Sequence, residues 1–163
     1  MKHVHLATGL LRREDGSILL VASRYPNHEL PLWNLPGGRQ RFGELLSATV
    51  AREILEETGY RARIGALAYV SESYDSADGV HFVNATFLAE IEAEFEGTAG
   101  AAVGRGEHVV EFAWVPMHEV GSRIVVPVVR EPLLAYLAGT LTQGYAGFSE
   151  AGITIRWPDD SMP

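Results

Sequence analysis

The sequence predicts an α/β fold in which a mixed sheet is covered on both faces by helices. Three observations predict it. Apolar, β-prone runs stand both before and after a central stretch of helical period. That central stretch, residues 44–58, contains no Gly or Pro, and a second apolar-periodic stretch follows Pro127. The pattern leaves the strand order open.

Taken in order, residues 4–12 and 18–23 are apolar runs separated by Glu14-Asp15-Gly16, which reads as the turn of an antiparallel hairpin. A polar, Pro-containing stretch follows, and then a short apolar strand at 32–35 is stopped by Pro36-Gly37-Gly38. The glycines mark a turn where backbone must approach something closely. In residues 44–58, Val50, Ala51, Ile54 and Leu55 fall on one side at helical spacing, and Gly59 is a natural C-terminal stop. Residues 64–73 and 80–90 are strand-like and joined by Asp75-Ser76-Ala77-Asp78-Gly79, which predicts a second hairpin. Gly97, Gly100, Gly104 and Gly106 predict a mobile loop before a strand at 108–115. After Pro127, a helix has Val128, Val129, Leu133, Leu134 and Leu137 as its apolar side. Residues 1–140 therefore read as one domain and 141–163 as a C-terminal tail, with 153–157 an edge strand or a dimer contact.

The 163 residues, 47% of them hydrophobic and 21% charged, suffice for one cooperative core and exclude a disordered chain. The absence of cysteine excludes a disulfide scaffold, a thiolate zinc site and a cysteine nucleophile, and is compatible with a cytoplasmic address. No apolar run is long enough to span a bilayer, and the N-terminus has no signal-peptide pattern. The formal charge of −8 works against a nucleic-acid backbone or an anionic membrane as partner. It leaves small anionic ligands open, because divalent cations can stand between protein carboxylates and phosphates.

The helix at 44–58 carries the strongest chemical signal. At about 100° per residue, Glu53, Glu56 and Glu57 lie within an arc of roughly 100°, so their carboxylates are expected to point outward from one face while the apolar side packs on the sheet. A solvated face usually mixes Lys with Glu, and the like-charged i,i+4 pair Glu53 and Glu57 opposes the helix by about 0.2–0.5 kcal/mol. A divalent cation would turn that repulsion into coordination, and oxygen ligands favour Mg²⁺, Mn²⁺ or Ca²⁺ over Zn²⁺.

Gly38, five residues, Glu44, seven residues, Arg52-Glu53-Ile54, one residue, Glu56-Glu57, one residue, and Gly59-Tyr60 together resemble the Nudix box of the Nudix hydrolases. Every fixed Gly, Glu and Arg is present, and Tyr60 replaces the usual aliphatic residue, which predicts a change of packing alone. Trp33-Asn34-Leu35-Pro36-Gly37 resembles the family's lead-in to the box, and residues 111–114 resemble a later strand ending in an aromatic. The resemblance implies an α/β/α sandwich with a mixed sheet and hydrolysis of a nucleoside diphosphate linked to another group, such as a (d)NTP or a nucleotide sugar. It also implies metal ligation by Glu53, Glu56 and Glu57, with the Gly38 carbonyl as a further ligand for Mg²⁺ or its substitute Mn²⁺. Arg52 would orient Glu53, and Glu44 would brace Arg52 or reach a metal through water.

The general base then falls to Glu53 within the box or to Glu107 beyond the glycine-rich stretch, with Glu111 in reserve. Arg39 and Arg41, between Gly38 and Glu44, are candidate phosphate contacts. Tyr25, Trp33, Tyr74, Phe82 and Trp114 are candidates for stacking on a base, although any one aromatic belongs more often to a core. His3 and His5 read as an exposed strand face. The partner is a small-molecule nucleotide, and a homodimer is expected on general grounds. The competing reading is a non-catalytic nucleotide sensor acting on a partner; proteins of that kind often lose box carboxylates, which are intact here.

Overall fold

The computed structural model describes residues 1–93 and 108–157. In chain order its elements are β1 (Lys2–Leu11), β2 (Ile18–Ser23), β3 (Leu32–Asn34), β4 (Gly37–Arg39), α1 (Leu46–Thr58), β5 (Arg61–Asp75), β6 (Val80–Ala93), β7 (Val109–Val115), α2 (Met117–Arg123), α3 (Pro127–Leu137) and β8 (Tyr145–Phe148). The expected loop at 96–106, Glu107 and the last six residues lie outside the described residues.

Among the described residues the strands form two sheets, one ordered β4-β1-β6-β5-β8 and the other β3-β2-β7. The first is mixed: β1 runs parallel to β6 and antiparallel to β4, while β5 runs antiparallel to β6 and parallel to β8. The second is antiparallel.

Period-two alternation along the strands divides the interior into two layers. Ala7, Leu11, Leu19 and Ala89 face α1 and close on Val50, Ile54 and Tyr60. Leu10, Ile18, Leu20 and Val115 turn the other way and pack on α2 and α3 through Val120, Ile124 and Leu133. Helices therefore cover opposite sides, the expected α/β/α arrangement. Val50, Ile54 and Leu133 are fully buried, and truncating one such aliphatic side chain to Ala costs about 2–5 kcal/mol. Gly59 caps α1 at φ 80°, a conformation in which a side chain would be strained.

Two expectations are corrected, and one element is added. The runs around Glu14-Asp15-Gly16 do make a tight turn, but β1 and β2 meet only at the bridge Arg12↔Ile18 and then diverge into separate sheets. Each prefers partners elsewhere, because β1 finds a full-length parallel neighbour in β6 and β2 an antiparallel one in β7. The late edge strand is Tyr145–Phe148 on β5, whereas residues 153–157 form no strand. The added element is the short helix α2, just after Pro116, whose seven residues span only two turns and so carry no periodic signal.

Candidate active site

The placement of α1 decides what its acids can do. Its apolar side packs toward β1, and Glu57 follows into the interior: it is 3% exposed, so the three acids do not all point outward. The edge strand β4 makes this possible. Gly37 N–H donates to Glu57 Oε1 at 2.8 Å, the hydrogen bond a buried carboxylate needs.

Gly37 and Gly38 belong to β4 and not to a turn. A Cβ on Gly37 would meet the Ala7 carbonyl oxygen at 2.2 Å, and one on Gly38 would meet Glu53 Oε1 at 2.6 Å and Cδ at 2.7 Å. The backbone rests against β1 on one side and a carboxylate on the other because neither residue has a side chain.

Arg52 ties the remaining acids together. Its Nε and Nη2 grip Glu44 Oε2 and Oε1 at 2.7 and 2.8 Å, and Nη1 donates to Glu53 Oε1 at 2.8 Å and Glu56 Oε2 at 3.2 Å. Nη2 also reaches the Arg39 carbonyl at 3.2 Å, which fastens the helix to the end of β4. Glu44 Oε1 further accepts from Arg41 N–H at 3.0 Å and Thr49 Oγ1 at 2.9 Å. Of the two roles open to Glu44, bracing Arg52 is the one its contacts match.

The electrostatics follow from these contacts. The Arg52 guanidinium pulls Glu44 down to about 2, and Glu44 in turn pushes Arg52 up. Burial raises Glu53 despite its bond to Arg52. Burial, with Glu53 and Glu56 beside it, pushes Glu57 well above the usual carboxylate range. The cluster thus concentrates carboxylate oxygens in an electrostatic setting that a cation would relieve.

Among the described residues no three His, Asp or Glu side chains are grouped so that together they could hold a metal ion. Mg²⁺ does not need such a group, since it takes one or two carboxylates and keeps positions for water and phosphate. The carboxylate oxygens of Glu53, Glu56 and Glu57 are the donor type such an ion takes, and glycine backbone lies directly against Glu53.

Other expected residues are dispersed. Arg41 is exposed and stands 3.8 Å from Glu56 Oε1. The Arg39 guanidinium lies over the Trp157 ring at 4.9 Å. Tyr60 is buried beside Phe112 and accepts from Trp114 Nε1 at 3.2 Å, so its departure from the box pattern is one of packing. Of the five candidate aromatics, Phe82 lines a cavity, Tyr25 is buried and Trp33 packs against the core. Tyr74 stacks on His81 at 4.3 Å, and Trp114 packs in the layer under α1. His3 and His5 are exposed on β1, as expected, and His3 Nδ1 lies 3.1 Å from His81 Nδ1. Glu107 lies outside the described residues, and Glu111 sits on β7.

A family model, the NUDIX domain, matches residues 2–137. The chain belongs to the Nudix family. Within it the chain is 35% identical over 106 residues to a Bacillus subtilis (strain 168) protein named "Putative 8-oxo-dGTP diphosphatase", a match covering 65% of this chain and 62% of that protein. It is 29% identical over 93 residues to a human protein named diphosphoinositol polyphosphate phosphohydrolase 3-alpha, covering 57% of this chain and 53% of that one. The chain thus spans less than two thirds of either relative. A solved Nudix hydrolase from Nitrosomonas europaea superposes with a TM-score of 0.72 at 22% identity, covering 85% of this chain and 91% of that one, which establishes the shared fold. The Nudix box accordingly maps onto β4, the loop after it and α1.

Sequence reasoning missed Gly37 as the donor to Glu57, Thr49 as a second anchor for Glu44, and Trp157 beside Arg39. The burial of Glu57 had a signal: it stands at i+7 from Val50 and i+3 from Ile54, stripe positions of the apolar face.

Proposed function

We propose that this chain is a divalent-metal-dependent hydrolase that splits the diphosphate linkage of a nucleoside diphosphate derivative such as a (d)NTP or a nucleotide sugar. The observation that carries the reading is the acidic set on α1: Glu57 bonded to the Gly37 N–H and Glu53 against Gly38 of β4, with Glu53 and Glu56 both held by Arg52. Glu53, Glu56, Glu57 and the Gly38 carbonyl would hold Mg²⁺, or Mn²⁺ in its place, which when bound neutralises phosphate oxygens and acidifies the attacking water.

The protein's own groups position and accept. Arg52 engages Glu53 Oε1, which leaves Oε2 as the oxygen that would take the proton of the attacking water. Glu107 is the alternative base. Arg41, 3.8 Å from Glu56, and Arg39, at the end of β4, would contact substrate phosphates, and Glu44 acts through Arg52. A nucleotide partner, a cytoplasmic address and a homodimer complete the reading, supported by the acidic, cysteine-free composition and by the frequency of dimers.

The test is product analysis on a panel of nucleoside triphosphates, nucleotide sugars, ADP-ribose and dinucleoside polyphosphates, with excess Mg²⁺ and with EDTA. Cleavage of one class that EDTA abolishes is the expected result, and cleavage indifferent to EDTA would overturn the metal. Glu53→Gln and Glu107→Gln then identify the base, as the variant that lowers kcat more than it raises KM.

A further inference from the structure

Beneath the C-terminal segment, residues 151–157, lies a cavity of about 90 Å³. A water occupies roughly 10–15 Å³ on this measure, so there is room for several waters or one planar ring. The floor is the sheet face that elsewhere packs on α3. Here it turns polar, with Thr8 from β1, Asn84 from β6 and Ser71 and Ser73 from β5. Register brings these side by side, since Asn84 pairs with Leu6 on one flank and Ser71 on the other. The walls are apolar, from Phe82 and from Ile153, Ile155 and Trp157.

Asn84 is the anomaly in this floor. Its Nδ2 donates to Thr8 Oγ1 and Thr86 Oγ1, both at 3.2 Å, while its Oδ1 is shielded from solvent and has no hydrogen-bond partner among the described residues. An acceptor buried without a donor is unfavourable, and one kept in a native fold calls for a partner such as a water, an ion or a ligand, or for a functional reason to bear the strain.

The roof lies beyond the matched family region of 2–137 and is strapped down by polar contacts. Thr154 O accepts from Asn27 Nδ2 at 2.6 Å and meets His28 Nε2 at 2.8 Å. Arg156 N–H donates to Asn27 Oδ1 at 3.1 Å, and its guanidinium grips Asp78 through two bonds of 3.0 Å. Ala151 N–H donates to the Tyr74 carbonyl at 2.7 Å. Cavity and acidic cluster share one rung of the sheet, because Thr8 pairs with Gly37, the residue whose N–H holds Glu57.

We propose that this cavity receives the base of the substrate's nucleoside, that Asn84 Oδ1 accepts a hydrogen bond from a ring or exocyclic N–H of that base, and that the strap at 151–157 sets which bases fit. The inference rests on the nucleotide reading above and names the residues that would give it specificity. Trp157 stands between the cavity wall and Arg39, its ring centroid 5.8 Å from that of Phe82 and the Arg39 guanidinium over its ring at 4.9 Å.

The experiment is isothermal titration of the full chain with adenosine, guanosine, cytidine and uridine 5′-monophosphates and with purine riboside 5′-monophosphate, whose base has no N–H. At least one of the four should bind about tenfold or more tightly than the purine riboside compound. Asn84→Leu should bring that ratio to about one, and Trp157→Ala should narrow the spread among the four bases. The wild-type comparison needs no variant to fold. Equal binding of the purine riboside compound, a ratio unchanged in Asn84→Leu, or no binding of any of the five would overturn the role of Asn84; an unchanged spread in Trp157→Ala would overturn that of the strap. These ligands contain no diphosphate, so selective binding without turnover of the panel would remove the hydrolase reading and leave this one standing. Turnover blind to the base would do the reverse.

Discussion

Glu57→Gln is expected to make the metal-free protein more stable while abolishing its metal response. Glu57 is 3% exposed, and burial, with Glu53 and Glu56 beside it, pushes its acid equilibrium well above the usual range. A carboxyl group whose folded pKa lies above its unfolded one binds its proton more tightly when folded. Above both values its charge therefore opposes folding, and the penalty is relieved as pH falls from the folded value toward the unfolded one. Glutamine has nearly the same shape, keeps Oε1 as the acceptor for Gly37 N–H, and turns the other terminal atom into a donor among carboxylates. Substitutions that relieve such a built-in conflict are worth about 0.5–2 kcal/mol. At about 2–4 °C per kcal/mol for a chain of this size, Tm in EDTA near neutral pH should rise by about 1–8 °C. Excess Mg²⁺ should reverse the order, since binding at a hundred times Kd adds about 2.7 kcal/mol to a protein that holds the ion and little to one that does not. Thermal melts of both proteins in EDTA and in Mg²⁺ measure all four values. A variant less stable than wild type in EDTA, or equal Mg²⁺-induced rises in the two, would refute the reasoning.

Arg52→Lys keeps the charge but loses the fork that grips both Glu44 oxygens; about two charge-assisted bonds are lost, and with water replacing part of them Tm should fall by about 3–10 °C in a melt. A variant within a degree of wild type would show the brace to be idle. Gly38→Ala puts a methyl group against Glu53 Oε1; the flexible carboxylate can yield, so the melt should move by less than about 1 kcal/mol while kcat/KM falls about ten- to a hundredfold. Glu44 is held down to about 2 by Arg52, so its contribution is present above its unfolded pKa and lost as pH falls through the folded one. The Tm gap between wild type and Glu44→Gln should accordingly be constant above about pH 5 and close toward about pH 2; a gap that widens on acidification would contradict the pairing.

What could be read in the sequence was the local part. Helix α1 was legible because Val50, Ile54 and the Gly59 stop all lie within a few turns, and the β5–β6 hairpin because its turn and both strands adjoin. The separation of β1 from β2 was not, since the preference of β1 for β6 and β4 is settled by segments far along the chain. The acids were legible as a set, but the burial of Glu57 depends on β4 supplying the Gly37 N–H, and its stripe position borders the polar face that carries Glu53 and Glu56. Asn84 had a signal as well: Phe82, Asn84, Thr86 and Leu88 alternate along one face of β6, and the apolar pattern breaks at Asn84 and Thr86. The strap did not, because 151–157 makes its contacts with Asn27, His28, Tyr74 and Asp78, residues that nothing local connects to it.

The most direct test of the acidic cluster as a metal-dependent active site is kcat/KM for wild type, Glu56→Gln and Glu57→Gln on the panel member cleaved best, in excess Mg²⁺. Both variants should fold and lose about a hundred- to a thousandfold or more in rate, as expected when charge stabilisation in the transition state is removed; full activity in both would contradict it.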